Sequence, residues 1–182
     1  MEKIILFLIL SIPIVIISWK PLFKFKSHGF YRFFSWECII WLFVSDYKMW
    51  FDNPFSIAQI FSWILLFASL YPLIAGIKMI KKVGKPHNER EENELYKFEK
   101  TSELVDTGIF KYIRHPLYAS LIILTWGIFL KNITAILFII SIISSIFLYL
   151  TAKADELECL KYFGDKYREY IKRSKMFIPY VF

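Results

Sequence analysis

Between Asp52 and Lys78 the chain runs for the thickness of a bilayer without one charged residue. Residues 55–77 supply the roughly 20 apolar positions that a hydrocarbon core of about 30 Å requires. Such a segment is a lipid-spanning helix, because a helix satisfies its own backbone groups where no water can. The composition agrees: 57% hydrophobic residues and a mean hydropathy of +0.45 over 182 residues are too apolar for a water-soluble domain. Nineteen Phe, eleven Tyr and six Trp suit helix ends lying at headgroup level. The net charge of +7 and pI near 9.3 sit beside apolar runs, where they attract anionic lipid and set orientation. Nucleic-acid binding is therefore not expected.

The other apolar runs are shorter. Residues 4–19 contain Pro13, where a kink is expected. They end in Ser18-Trp19-Lys20-Pro21, which lacks a small-x-small cleavage site, so the run reads as a retained helix instead of a signal peptide. Lys20, Lys24, Lys26, His28 and Arg32 follow with no acid among them, a basic flank expected on the cytoplasmic face. Residues 33–44 form a weaker span, which continues at most to Phe51. Lys78, Lys81, Lys82 and Lys85 make a second basic flank after the 55–77 run, and two consecutive cytoplasmic ends require a crossing between them.

Residues 85–111 are dense in both charges and cannot cross a bilayer. Between Pro116 and Ala152 the only charge is Lys131, so 116–130 and 133–152 read as a helical hairpin turning at Lys131-Asn132. The first arm reaches only about 22 Å at 1.5 Å per residue, so it begins near Tyr112 or sits in thinned lipid. Farther on, Leu157, Leu160, Phe163, Tyr167, Tyr170 and Ile171 fall on one helical stripe, with Glu158, Lys161, Lys166, Arg168 and Lys172 opposite. Gly164-Asp165 reads as a helix stop followed by a fresh N-cap, and the apolar tail at 177–182 is expected to fold back onto the bundle. The expectation is one all-α membrane domain of five crossings over 1–182, N-terminus outside, with cytoplasmic amphipathic helices at its C-terminal end. Residues 1–52 supply two crossings, and 53–182 form the core that carries the site.

Two polar stretches stand out. His115-Pro116 opens a helix at the membrane surface, where free N–H groups and the helix dipole suit a carboxylate or phosphate; the plainer reading makes Arg114 and His115 interfacial anchors. Lys153, Asp155 and Glu156 lie where the last crossing leaves the membrane, a place where acids are usually just solvated. The hairpin returns the chain to the same membrane face, so the two stretches can line one pocket. Glu37 reads as an acid near the interface of a short span or as an intramembrane functional group. His28 and His87 read as solvated loop residues, and Cys38 and Cys159 imply neither disulfide nor metal.

The run Leu-Val-x-x-Gly-x-Phe-x-x-x-Arg-His-Pro-x-Tyr at 104–118 is followed by Asp155-Glu156 seven to eight residues before Phe163-Gly164, then by Tyr167-x-x-Tyr170 and Pro179. Together these resemble the isoprenylcysteine carboxyl methyltransferase and phospholipid methyltransferase superfamily of integral membrane enzymes. The resemblance covers about residues 55–180 and none of the first two crossings. It implies a cytoplasm-facing S-adenosylmethionine pocket lined by Ser102, Glu103, Leu104, Val105, Phe110, His115, Pro116, Leu117, Tyr118, Asp155 and Glu156. The acids would hold the cofactor's amino or ribose groups, and His115 and Tyr118 its methionyl end. Candidate catalytic residues are Arg114, Asp155 and Glu156, with no metal. The family's usual Glu-Glu is Asp155-Glu156 here. Thr151 stands where the prenylcysteine enzymes carry a basic residue, with Lys153 as a substitute.

S-adenosylmethionine combines a sulfonium, an amino group and a carboxylate, and so needs acids, aromatic faces and N–H donors together. The implied activity is methyl transfer to a lipophilic acceptor, the carboxylate, thiol, amine or hydroxyl of a lipid-like or lipidated molecule. The expected location is multi-pass in the inner or plasma membrane, or in the endoplasmic reticulum of a eukaryote. Two rivals remain at this level. Membrane sterol and steroid reductases using NADPH share Arg-His-Pro-x-Tyr, but usually carry Asn where this chain has Leu117, and Gly and an acid where it has Ala119 and Ser120. A non-enzymatic lipid-binding protein would bind neither cofactor.

Overall fold

The structure, a computed structural model, describes residues 1–84 and 101–181. His87 and the acidic run at 89–94 lie outside the described residues, as does Phe182. Among the described residues six α-helices follow one another: α1 (Glu2–Leu22), α2 (His28–Asp46), α3 (Ile57–Val83), α4 (Pro116–Phe129), α5 (Ala135–Phe163) and α6 (Asp165–Arg173). Their starts are chemically marked. The hydroxyls of Ser27, Ser56 and Thr134 accept from the backbone N–H three residues on, at the N-termini of α2, α3 and α5. Pro116 opens α4, where its missing N–H costs nothing.

Three helices, α1, α3 and α5, are long and apolar enough to cross a membrane. Helix α2 has 19 residues of lower hydropathy, and α4 only 14. Helix α4 starts at Pro116 and not near Tyr112, because residues 108–111 form a 3-10 turn instead of extending it. Helix α1 continues unbroken through Pro13. Helix α5 is the longest, at 29 residues. At 1.5 Å per residue it exceeds a hydrocarbon core by about 13 Å, so its polar end after Ala152 projects beyond the lipid.

The helices pack in the order α1, α2, α5, α4, α3. Small residues let the backbones approach, as expected in lipid, where packing and hydrogen bonds replace the hydrophobic drive. A Cβ on Gly76 of α3 would stand 2.6 Å from Leu117 of α4. Ser62 donates to the Gly127 carbonyl at 2.7 Å, and the fully buried hydroxyls of Ser35 and Ser144 meet at 3.1 Å. Large apolar side chains on α1 and α3, among them Ile16, Phe61, Phe67 and Ile74, point outward as a lipid-facing surface requires.

The expected hairpin turn stands, and two other local expectations need correction. Lys131 does turn the α4–α5 hairpin, but its side chain folds inward: it is 5% exposed, bonds Gln59 Oε1 at 2.9 Å and lies 3.7 Å from the Trp63 ring centroid. The stripe on the polar end of α5 is also rotated at its start, since Leu157 is 69% exposed while Glu158 turns inward toward α2. Gly164 does end α5, yet α6 is capped by Gly164 itself and Asp165 makes no capping bond. The tail folds back as expected: Arg114 N–H donates to the Lys175 carbonyl at 2.7 Å and Lys175 N–H to the Tyr112 carbonyl at 3.0 Å.

Candidate functional site

The polar end of α5, the segment before α4 and helix α6 enclose a cavity of about 750 Å³, counting its open mouth. Its walls are mostly apolar, with Ile80, Leu104, Val105, Phe110, Leu117, Phe163 and Tyr167 contributing, and Arg114, His115, Asp155 and Cys159 supply polar groups. The lining, mostly apolar with a few convergent polar groups, is that of a small-molecule site. Pro116 and Tyr118 line it too. The sequence-predicted residues therefore converge, with three exceptions. Ser102 and Glu103 border an adjoining outer hollow with Leu104 and Phe163, their backbone N–H groups bonded to the Gly84 carbonyl. Glu156 stands behind the cavity, pairing with two of its lining residues.

Those pairs fix the site. Arg114 donates from Nε to Glu156 Oε1 at 2.8 Å, and its Nη2 lies 2.7 Å from the same oxygen. Its Nη1 donates to the Ser174 and Ile171 carbonyls, which anchors α5 to the end of α6. Lys153 reaches the other Glu156 oxygen at 3.1 Å while remaining half exposed. Thr151 is fully buried and donates to the Phe147 carbonyl, turned into its own helix.

His115 is held between the two acids, with Nδ1 3.4 Å from Asp155 Oδ2 and Nε2 3.5 Å from Glu156 Oε1. These separations suit ion pairing but are long for strong hydrogen bonds, and Nε2 makes none among the described residues. Burial alone would lower the imidazole pKa, but Asp155 and Glu156 favour the protonated ring and raise it above its ordinary value. The ring stacks on Tyr118 at 5.5 Å and tilts against Phe177 of the returning tail at 6.1 Å. Burial pushes the Tyr167 and Tyr170 phenols upward, so both stay protonated; Tyr170 donates to the Phe110 carbonyl at 2.7 Å. The site thus offers fixed carboxylates, a buried imidazole with an unsatisfied nitrogen, and aromatic walls. Neither Tyr167 nor Tyr170 is available as a phenolate nucleophile.

Two participants were not legible as such. Cys159 lines the cavity one turn after Asp155, with Sγ 3.7 Å from Asp155 Oδ1. His28, expected in solvent, is wholly buried at the start of α2, and its Nδ1 lies 2.5 Å from Glu158 Oε2. His28, Asp155 and Glu158 bring one ligand-capable atom each within 4.8 Å of one another. Glu37 accepts from Ser11 at 2.6 Å and ties α1 to α2, and it does not line this cavity.

Residues 89–166, less than half of the chain, match the family model of the phospholipid methyltransferases, which bears out over that stretch the resemblance read from the residues. The match contains the Arg114-His115-Pro116 segment and the Asp155-Glu156 doublet, and it excludes α1 and α2. Among characterised proteins the chain is similar to methanethiol S-methyltransferase 1 of Bradyrhizobium diazoefficiens, 29% identical over 72 residues. That stretch is 40% of this chain and 25% of the relative, so the chain covers a quarter of the relative's length. No solved structure matches.

Proposed function

We propose that the protein is a multi-pass membrane methyltransferase that takes its methyl group from S-adenosylmethionine and gives it to a lipophilic acceptor. The observation that carries the proposal is the convergence of His115 and Asp155, from opposite arms of the α4–α5 hairpin, on one cavity backed by Glu156. Asp155 suits the amino group of the donor, while Phe110, Tyr118 and Tyr167 present aromatic walls toward its sulfonium and adenine.

Methyl transfer is an in-line displacement that depends on positioning and on excluding water. The residues at hand serve that end. Arg114 fixes Glu156, Asp155 and Glu156 fix His115, and Phe177 with the tail covers the imidazole. The acceptor is proposed to be a lipid-borne or small apolar nucleophile; a thiol is the form that the name of the similar bacterial enzyme supports. Five crossings with the N-terminus outside place the cavity at the cytoplasmic face. Helices α2 and α4 then cross beside the three longer ones, and the basic flanks at 20–32 and 78–85 lie inside.

Titration calorimetry in detergent tests the reading. S-adenosylmethionine and its demethylated product should both bind, and NADPH should not. Membranes incubated with methyl-labelled donor should yield label in the organic extract. Absence of donor binding would sink the proposal.

A further inference from the structure

His28 belongs to the part of the molecule that the family match leaves out, yet it bonds a residue of α5 one turn from Asp155, which lines the cavity. It is fully buried, and it grips Glu158 twice. Its backbone N–H donates to Oε1 at 3.2 Å and its Nδ1 meets Oε2 at 2.5 Å. Asp155, one turn earlier on α5, brings its own carboxylate into the same 4.8 Å cluster. Arg32, one turn along α2 and 4% exposed, adds a second positive charge toward Asp155.

Two carboxylates this close in a place poor in water repel strongly. Glu158 and Asp155 lie three residues apart on α5, so their side chains share a face and meet unless something parts them. In the structure they remain within 4.8 Å, but each is held by a different partner: Glu158 leans onto His28 of α2, and Asp155 faces His115 and the cavity.

We propose that His28 is a positioning residue of the cofactor cavity, drawing Glu158 aside so that Asp155 keeps its carboxylate toward His115 and the bound donor. The inference rests on the functional reading above and adds a requirement to it. The first two helices are then part of the binding site and not merely lipid anchors, because they supply the imidazole that holds Glu158 and leaves Asp155 to the cavity.

The test is calorimetric binding of S-adenosylhomocysteine to the full chain in detergent, compared among wild type, His28→Ala, Glu158→Gln and the double variant. Loss of the imidazole should weaken binding by about tenfold, the scale of coupling between contacting groups. Adding Glu158→Gln removes the repulsion, so the double variant should recover to within about threefold of wild type. A packing role alone would not be rescued in this way. Should His28→Ala fail to fold, His28→Gln with and without Glu158→Gln supplies the same comparison.

Wild-type affinity in His28→Ala, or a double variant as weak as the single, overturns the inference and leaves the functional reading standing. Stoichiometric zinc binding by wild type that His28→Ala abolishes would also overturn it, since the cluster would then be a metal site. Wild-type protein that binds no S-adenosylhomocysteine overturns the functional reading and this inference with it.

Discussion

The guanidinium of Arg114 and the carboxylate of Glu156 meet at 2.7 Å with less than a tenth of either side chain exposed. The pair ties the segment ahead of α4 to the polar end of α5 at a dry place. Removing one partner strands a buried charge, so Glu156→Ala or Arg114→Ala should each cost about 3–5 kcal/mol. The pair Arg114→Met with Glu156→Leu should cost less than either single change. Thermal unfolding in detergent measures this, and a double variant less stable than both singles would contradict it.

His115 should give the protein a pH dependence of definite sign. Its pKa is raised on folding above the ordinary 6.5 because the two acids outweigh burial. The folded chain therefore holds the proton more tightly than the unfolded one. The stabilisation is complete below about 6.5 and fades as pH rises through the folded value. Melting temperatures taken from about pH 6 to about 9 should decline in wild type and decline less in His115→Gln. Identical slopes would refute the assignment.

Gly108 and Gly164 separate backbone strain from crowding. Both have positive φ, +60° and +59°, but a Cβ on Gly108 would stand 2.8 Å from Met79, whereas one on Gly164 meets nothing within 4 Å. Gly164→Ala should cost only the backbone penalty, about 1–3 kcal/mol, and Gly108→Ala more. Equal losses would show that Met79 yields freely.

Lys131 tests the opposite end of the bundle. Its ammonium is desolvated against Trp63 and Gln59, a setting in which a cation–π contact is worth about 2 kcal/mol. Lys131→Met keeps the buried stem and should lose about that much, while Lys131→Glu should lose considerably more by putting a carboxylate against the indole face. The two variants melting together would mean that the ammonium makes no net contribution.

Much of this architecture is visible in the residue order, because lipid imposes a coarse rule. Long uncharged runs must be helical, so α3 and the α4–α5 hairpin follow from where the charges are, and Ser27, Ser56 and Thr134 mark starts that local chemistry dictates. The Arg114-His115-Pro116 and Asp155-Glu156 stretches were identifiable from spacing and resemblance, and the turn at Lys131 brings them to one side. Side-chain direction was less accessible. Leu157 and Glu158 are adjacent, and apolar periodicity turns the wrong one inward because it cannot know that a histidine waits on α2. The burial of Lys131 and His28 escaped for the same reason. In both cases a charged group is drawn inside by partners more than seventy residues away, Gln59 for one and Glu158 for the other.

The pairing of Lys175 with the backbone just ahead of α4 bears on how the protein is made. Sixty residues separate Arg114 from the Ser174 carbonyl it binds. The helices can enter the bilayer in order as the ribosome delivers them, but the wall behind His115 stays unbuilt until residues 174–177 emerge. Nascent chains halted after α5 should therefore be inserted but unable to retain ligand, and the last strap of polypeptide acts as the assembly step that turns a bundle into a receptor.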